Sequence, residues 1–371
     1  MLLYLVILVI LAGLLQEYTL RHSLDKVTYD TYPSKTTVDP DEVFEIITHI
    51  RNPKWMPVSY LKFQESLPIE LVPEGNVKLR RDTELSRLTT TTFLKPYQLL
   101  ERRFGASLPA RGRYFLRGAT LMGGDFLGTR TSTEYFPVNR EIVVVPKPLP
   151  EARFGETLGD YLGNMSVNRF IMEDPVLTLG FREYTGREPQ RAISWTQSAR
   201  MGRTMVKNYD HTLDLSVTVI LNVECPQDME NRGELIEDCF SATRTICEKL
   251  EDKKIKYGIL TNAAAAGALG MWSQVSDGLG KNHMMTILEG LGRATHQMTS
   301  TFESVVNRAV RRDEAGRYYI IITPRLDAKQ NACLQRLSAL KGGKTFIVDA
   351  ANLAELRVQD AQKEAAAAKE A

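Results

Sequence analysis

Cysteine is scarce in this chain: Cys225, Cys239, Cys247 and Cys333 are the four present among 371 residues, and no pair has Cys-x-x-Cys spacing. That excludes a disulfide-built scaffold and a cysteine-rich zinc site. Cys239 and Cys247 share one helical face but stand about 12 Å apart along it, too far for a disulfide. Buried thiols in a reducing compartment are the expectation. Histidine is equally sparse: His22, His49, His211, His283 and His296 show no ligand spacing with cysteine or one another. A strong excess of charge of one sign is missing too, since a formal net charge of +2 without long basic runs gives no pull toward nucleic acid. Nucleotide loops are absent: Gly278-Leu279-Gly280-Lys281 lacks the length and the Ser/Thr of a phosphate loop, and Gly123 to Gly128 has no lysine. No Gly-x-Ser-x-Gly elbow occurs. Ser59 and Lys62 match Ser-x-x-Lys only inside a strand-like stretch without companion motifs. The sequence therefore offers no catalytic constellation and calls for no cofactor.

What is there is ordinary globular material, 25% charged and 43% hydrophobic, in a chain too long for one core. Met1 to Leu15 carries no charge; taken as a helix to Leu20 it spans about 30 Å, near the thickness of a hydrocarbon core. A cleaved signal peptide would need a positive n-region and a small-x-small site, and neither is evident. Residues 1–20 are thus expected to form a single transmembrane anchor in the cell membrane. Arg21, His22 and Lys26 follow the run and place the later domains on the cytoplasmic side.

Residues 26–145 read as short strands between turns. Glu42 to Ile50 is largely β-branched and alternating, Val58 to Gln64 follows, Leu88 to Phe93 is threonine-rich, and Ile142 to Val145 is compact and apolar. This pattern predicts an antiparallel β-sandwich, immunoglobulin-like in outline. Val145-Pro146-Lys147-Pro148-Leu149-Pro150 is an extended connector that opens a linker and irregular segment over 146–179. From 213 to 358 apolar strands (Leu215–Leu221, Tyr257–Thr261, Tyr318–Ile322, Thr345–Val348) alternate with amphipathic helices, one carrying Leu235, Ile236, Cys239, Phe240, Thr243, Ile246, Cys247 and Leu250 on one stripe. That alternation predicts a doubly wound α/β domain. Residues 359–371 suit an exposed helical tail.

Between the two lies the densest motif, over 180–212. Arg182, Glu183, Tyr184, Arg187, Arg191, Trp195, Arg200 and Arg203 crowd a short stretch opposed only by Glu183 and Glu188. Gly186 and Pro189 mark a turn, Ser194 and Gln197 fit a capping box, and Gly202 is placed to end a short helix. Two readings stay open: a polar clasp whose arginines meet Glu183, Glu188 and backbone carbonyls, or a docking face for an acidic partner or phosphate.

The order Arg-Glu-Tyr, a Gly-containing turn, Arg, Ile, Trp, Ser-Ala-Arg, Gly and Val-Lys resembles the signature of the bacterial family called domain of unknown function 58. Arg111-Gly112-Arg113-Tyr114 and Gly124-Asp125-Phe126-Leu127-Gly128 resemble further family stretches. The resemblance implies a von Willebrand factor type A-like module for 213–358 and association with a MoxR-type AAA+ ATPase. Type A domains often hold a divalent cation through Asp-x-Ser-x-Ser beyond the first strand; here Asn222, Glu224 and Pro226 fill those places, a degenerate metal site, and Arg325 brings positive charge to the rim. The expectation is a membrane-anchored, non-enzymatic interaction protein with a protein partner. The alternatives are a divalent-ion-dependent adhesion or ligand-binding module and an uncharacterised hydrolase using Cys225.

Overall fold

The structure, a computed structural model, describes residues 2–75, 77–125, 129–149, 161, 174–186, 190–210, 216–226, 229, 231–267, 272–311, 317–341 and 345–352. In chain order the strands are β1 (Thr28–Pro33), β2 (Thr37–Val38), β3 (Phe44–Arg51), β4 (Val58–Pro68), β5 (Val72–Pro73), β6 (Arg80–Arg81), β7 (Leu85–Leu94), β8 (Leu99–Ser107), β9 (Gly112–Gly124), β10 (Thr131–Val144), β11 (Asp174–Glu183), β12 (Met205–Asp210), β13 (Ser216–Leu221), β14 (Lys256–Thr261), β15 (Ala263–Ala265), β16 (Gln274–Gly278), β17 (Ala294–Met298), β18 (Arg317–Thr323) and β19 (Thr345–Asp349). The helices are α1 (Leu2–Arg21), α2 (Trp195–Met201), α3 (Arg232–Asp252), α4 (Lys281–Arg293), α5 (Phe302–Arg311) and α6 (Ala328–Lys341). Two compact units divide the chain: residues 1–147 with 265–268 and 288–295, and the remainder.

In the first unit, strands alternate because their side chains do. Leu61, Phe63, Glu65 and Leu67 of β4 are buried while Lys62, Gln64 and Ser66 between them are half-buried, the period of a strand with one face on a core. Two sheets result, ordered β1-β3-β8-β5 and β2-β10-β9-β4-β7-β6. Pairing is antiparallel except where Thr37 and Val38 run parallel to Val143 and Val144. The inner faces meet in an apolar core, with Phe44, Ile46, Phe104 and Ala106 from one sheet against Leu67, Leu88, Leu116 and Ile142 from the other. Each such buried aliphatic or aromatic side chain contributes about 1.5–3 kcal/mol.

Glu65 interrupts that core, 1% exposed on the inward row of β4. Its ligands come from the opposite sheet: Tyr29 Oη donates to Oε1 at 3.0 Å, Thr48 Oγ1 donates to Oε1 at 2.6 Å, and Arg102 Nη2 donates to Oε2. Arg102 also reaches the sheet of Glu65 through Nη1, which donates to Thr90 Oγ1 at 2.6 Å, and its guanidinium lies 4.9 Å from the Phe63 ring centroid. Burial, and then the Glu65 charge, push the Tyr29 phenol well above its usual range. A paired charge is tolerated there because each partner satisfies the other.

The N-terminal helix corrects the membrane expectation. α1 is twenty residues long, but its last turns are polar and engaged. Gln16 Nε2 donates to Asp125 Oδ2 at 2.6 Å, and Arg130 Nη1 donates to Glu17 Oε2 at 3.0 Å. The chain then enters the sandwich core with Leu24 and Val27. The apolar stretch stops at Leu15, short of the roughly twenty residues a span needs. Among the described residues no helix is long and apolar enough to cross a membrane. The single-pass anchor over residues 1–20 is therefore not supported, and the cytoplasmic orientation read from Arg21, His22 and Lys26 loses its basis.

The second unit is built on a five-stranded sheet ordered β16-β14-β13-β18-β19. β14, β13, β18 and β19 are parallel, while β16 runs antiparallel to β14. Phe302, Val305, Val306 and Ala309 of α5 and Leu334 and Leu337 of α6 pack on Ile220, Leu260, Tyr319 and Ile321. α3 buries the stripe Leu235, Ile236, Cys239, Phe240, Thr243, Ile246, Cys247 and Leu250. Polar chemistry holds β16 in place: Arg317 at the start of β18 donates from Nη2 to Asp277 Oδ2 at 2.7 Å and from Nη1 to Thr218 Oγ1 at 2.8 Å. Gly258 of β14 clears the way, since a Cβ there would lie 2.5 Å from Asp277 Oδ1.

These features correct the fold-class expectation. Among the described residues nineteen strands stand against six α-helices. The largest sheet belongs to the sandwich, the second unit's sheet is mixed, and no described helix is long and apolar enough to span a membrane. A doubly wound, von Willebrand factor type A-like fold is not what the chain as a whole shows; it is mostly β-sheet. The parallel reading of 213–358 failed at Gln274–Gly278, where Val275 is the only apolar residue and no strand period is visible. The irregular segment likewise hides β11, which pairs with β12. The helical tail expected over 359–371 lies outside the described residues.

Candidate functional site

The arginine motif folds as an antiparallel pair, β11 and β12, carrying α2 in its connection. Arg182 stands opposite Val206 and Glu183 opposite Met205. Past the strand end Tyr184 N donates to Thr204 O at 2.9 Å, and on the return Ser194 N donates to Met205 O at 2.9 Å. The small residue Ala192, with Ser194, Met205 and Val206, is buried beneath, which turns the long polar side chains outward. α2 begins at Trp195 and ends at Gly202, whose φ of 66° is the left-handed conformation glycine adopts without strain. The expected capping box does not form: Ser194 makes no side-chain cap, and Ser198 Oγ instead donates to Ser194 O at 2.8 Å while accepting from Met205 N at 2.8 Å.

Arg182, Glu183, Arg200 and Arg203 are exposed and Tyr184 is half-buried. Trp195 is 72% exposed, Met201 59% and Phe181 42%. Arg203 Nη1 donates to Glu183 Oε2 at 3.2 Å, with both side chains open to water, so the pair is worth at most about 1 kcal/mol. Arg187 lies outside the described residues, as does the side chain of Arg191, whose backbone sits in a 3-10 turn. The motif thus brings Arg182, Glu183, Arg200, Arg203 and Trp195 to one small module and presents them to solvent.

The second candidate is the carboxyl edge of the five-stranded sheet, where a cation site would be sought. Asn222, buried just beyond β13, spends its carboxamide on protein partners. Oδ1 accepts from Asn262 Nδ2 at 2.8 Å and from Glu224 N at 2.9 Å, and Nδ2 donates to Thr323 Oγ1 at 3.0 Å. Asn262 Oδ1 in turn accepts from Val223 N at 2.9 Å. Glu224 points away from this network, its Oε2 accepting from Phe302 N at 2.6 Å at the start of α5. A carboxylate suits a helix N-terminus, where unpaired N–H groups concentrate positive charge. Pro226 is exposed. Asn222, Glu224 and Pro226 therefore do not converge; among the described residues no cluster of three or more His, Cys, Asp or Glu is placed to hold a metal ion. Asn262 was not visible as part of the rim from sequence, because only the sheet brings its position level with Asn222.

Beside this edge a depression of about 220 Å³ is lined by Glu224, Glu303, Asp327, Lys329, Gln330 and Cys333. Asp327 Oδ1 caps α6 by accepting from Gln330 N at 2.6 Å. Burial pushes the thiols of Cys239, Cys247 and Cys333 above their usual range. Cys225 is buried with its Sγ 3.6 Å from Met229 Sδ. For Cys239, Cys247 and Cys333 these are settings of poor thiolate character, away from what a nucleophile needs. Of the other family-like stretches, Arg111 Nη1 donates to Leu291 O at 2.7 Å and Arg113 Nε to Glu141 Oε1 at 2.6 Å. Asp125 is held at a turn whose next three residues lie outside the described set.

No protein-family model matches this chain, and no curated protein matches it. Among solved structures it is similar to the CARDB domain of a Pyrococcus furiosus protein in complex with di-metal ions, at 13% identity and a TM-score of 0.21, covering 32% of this chain and 92% of that one. It is similar to a cohesin module from a Clostridium perfringens family 33 glycoside hydrolase, at 12% identity, a TM-score of 0.23, and 32% and 96% coverage. A non-cellulosomal cohesin from Archaeoglobus fulgidus gives 11% identity, a TM-score of 0.23, and 32% and 91% coverage. At these identities and TM-scores none of them assigns a ligand or a partner to this chain.

Proposed function

We propose that the chain is a non-enzymatic protein-interaction module whose recognition surface is the arginine and tryptophan face of β11 and α2. The carrying observation is the exposure of Trp195 and Met201 in a module that also exposes Arg182, Arg200 and Arg203. Aromatic, methionine and arginine side chains are those enriched in interface centres, and guanidinium groups pair carboxylates bidentately, so the fitting partner is an acidic protein surface. That exposure supports docking over the internal clasp. The sequence resemblance makes a MoxR-type AAA+ ATPase the first partner to test.

The test is capture of a purified MoxR-type ATPase by the full chain and by Trp195→Ala and Arg200→Ala/Arg203→Ala variants, with melting temperatures alongside. Capture lost at unchanged melting temperature supports the docking face. Capture retained by both variants removes the face from the reading, and parallel loss of capture and melting temperature restores the clasp.

A further inference from the structure

We propose that the outer edge of β7 is a self-association edge, on which a second copy of this chain adds its own β7 as an antiparallel strand. β7 pairs with β4 along an unbroken register from Leu85 opposite Pro68 to Thr92 opposite Leu61. On its other side β6 covers only Ser86 and Arg87. Leu88 to Leu94 therefore has no strand beyond it among the described residues, and presents a row of ladder groups to the outside.

Sheet edges are normally blunted by charge, proline, bulges or brevity. The other open stretches of the sandwich follow that rule. β10 carries Glu134, Pro137 and a register shift between Pro137 and Arg140, and β8 carries Glu101, Arg102 and Arg103. β7 has neither charge nor proline there, and its one irregularity, a register shift against β4 between Thr92 and Leu94, lies at the end of the run: Leu88-Thr89-Thr90-Thr91-Thr92-Phe93-Leu94 is uncharged, proline-free and rich in residues that favour strands. Phe93 is 57% exposed on it.

The absence of charge selects the occupant. In an antiparallel pair of identical strands the central residue meets its own copy and the others meet in reciprocal pairs, so an edge carrying charge of one sign repels itself whereas this one does not. Antiparallel pairing centred on Thr91 sets Thr90 against Thr92, Thr89 against Phe93, and Leu88 against Leu94. It continues the exposed row outward and the buried row inward, as a same-face register requires. Arg87 comes level with Lys95 just outside the run, but Arg87 is already paired with Asp82 at 2.8 Å. This surface belongs to the first unit and uses no residue of the arginine module, so it stands whatever becomes of that reading.

Sedimentation velocity on the full chain over a concentration series tests it, with Thr89→Lys/Thr91→Lys and Thr89→Glu/Thr91→Glu variants. Both positions are exposed, so the fold is retained. The wild type is expected to dimerise, and each variant alone to dimerise about tenfold more weakly, the cost of one to two like-charge cross-strand pairs. An equimolar mixture of the two variants should regain the wild-type affinity, which only β7 meeting β7 allows. A monomeric wild type, variants that associate as before (placing the contact elsewhere, as on the exposed apolar side chains of α1), or a mixture that fails to recover would each overturn the proposal.

Discussion

Replacing Glu65 by glutamine is the sharpest perturbation the sandwich offers. The amide keeps the volume and one acceptor oxygen, which can still take the Tyr29 and Thr48 hydroxyls. Its nitrogen then faces the Arg102 guanidinium, donor against donor, and Arg102, 20% exposed, loses its counter-charge. Removing one partner of a buried pair costs about 3–5 kcal/mol; the partial exposure of Arg102 lets water relieve some of this, so about 3 kcal/mol is expected. For a unit of this size that lowers the melting temperature by about 10 °C. Calorimetry on the full chain reads it as a shift of the sandwich transition alone. The double variant Glu65→Leu/Arg102→Met removes both charges and leaves apolar bulk beside Phe63 and Phe104, and should recover part of the loss, the remainder being the Tyr29 and Thr48 hydroxyls left without their acceptor. A cost below about 1 kcal/mol for Glu65→Gln, or a double variant no better than the single, would refute the view that this pair pins the two sheets.

Other outcomes follow from the same geometry. Burial raises the Asp125 carboxyl, but hydrogen bonds from Gln16 and from the Thr129 hydroxyl and backbone outweigh it and hold the pKa down at about 2. Its stabilisation is therefore fully present above about pH 4 and lost as pH falls through 2. Gln16→Ala should flatten that acid limb in urea titrations between these values, and an unchanged limb counts against the link. Tyr29 behaves oppositely: with its phenol raised by burial and by Glu65, stability falls as pH climbs past about 10, where unfolded tyrosine ionises. Tyr29→Phe should reduce that slope in alkaline unfolding curves. Calorimetry with magnesium, calcium or manganese at millimolar concentration should give no binding heat for the wild type or for Asn222→Asp, because Glu224 remains committed to Phe302 N. Saturable heat with either protein would reinstate a cation site.

Much of the local structure was legible because period reports burial directly. The stripe from Leu235 to Leu250, the apolar runs that became β13, β14, β18 and β19, and Gly202 as a helix stop all follow from spacing and backbone preference within a few residues. β16 escaped because Asp277 holds it through Arg317, forty residues away, instead of through an apolar period. The length of the N-terminal apolar run misled for a related reason. Its polar end reads as an interruption in sequence, while in space Gln16 and Glu17 find Asp125 and Arg130 more than a hundred residues on.

By itself the amino-acid order indicated the parallel strands and the amphipathic helices of the second unit and which of their faces are apolar. Those properties depend on neighbours in the chain. Only the tertiary structure decided that Glu65 bridges two sheets, that Asn222 is consumed by Asn262 and Thr323, that Trp195 and its arginines face water, and that β7 is left with an open neutral edge. Each of these rests on which distant residue comes within about 3 Å of another, and that distance is set by packing, which no stretch of neighbouring residues encodes.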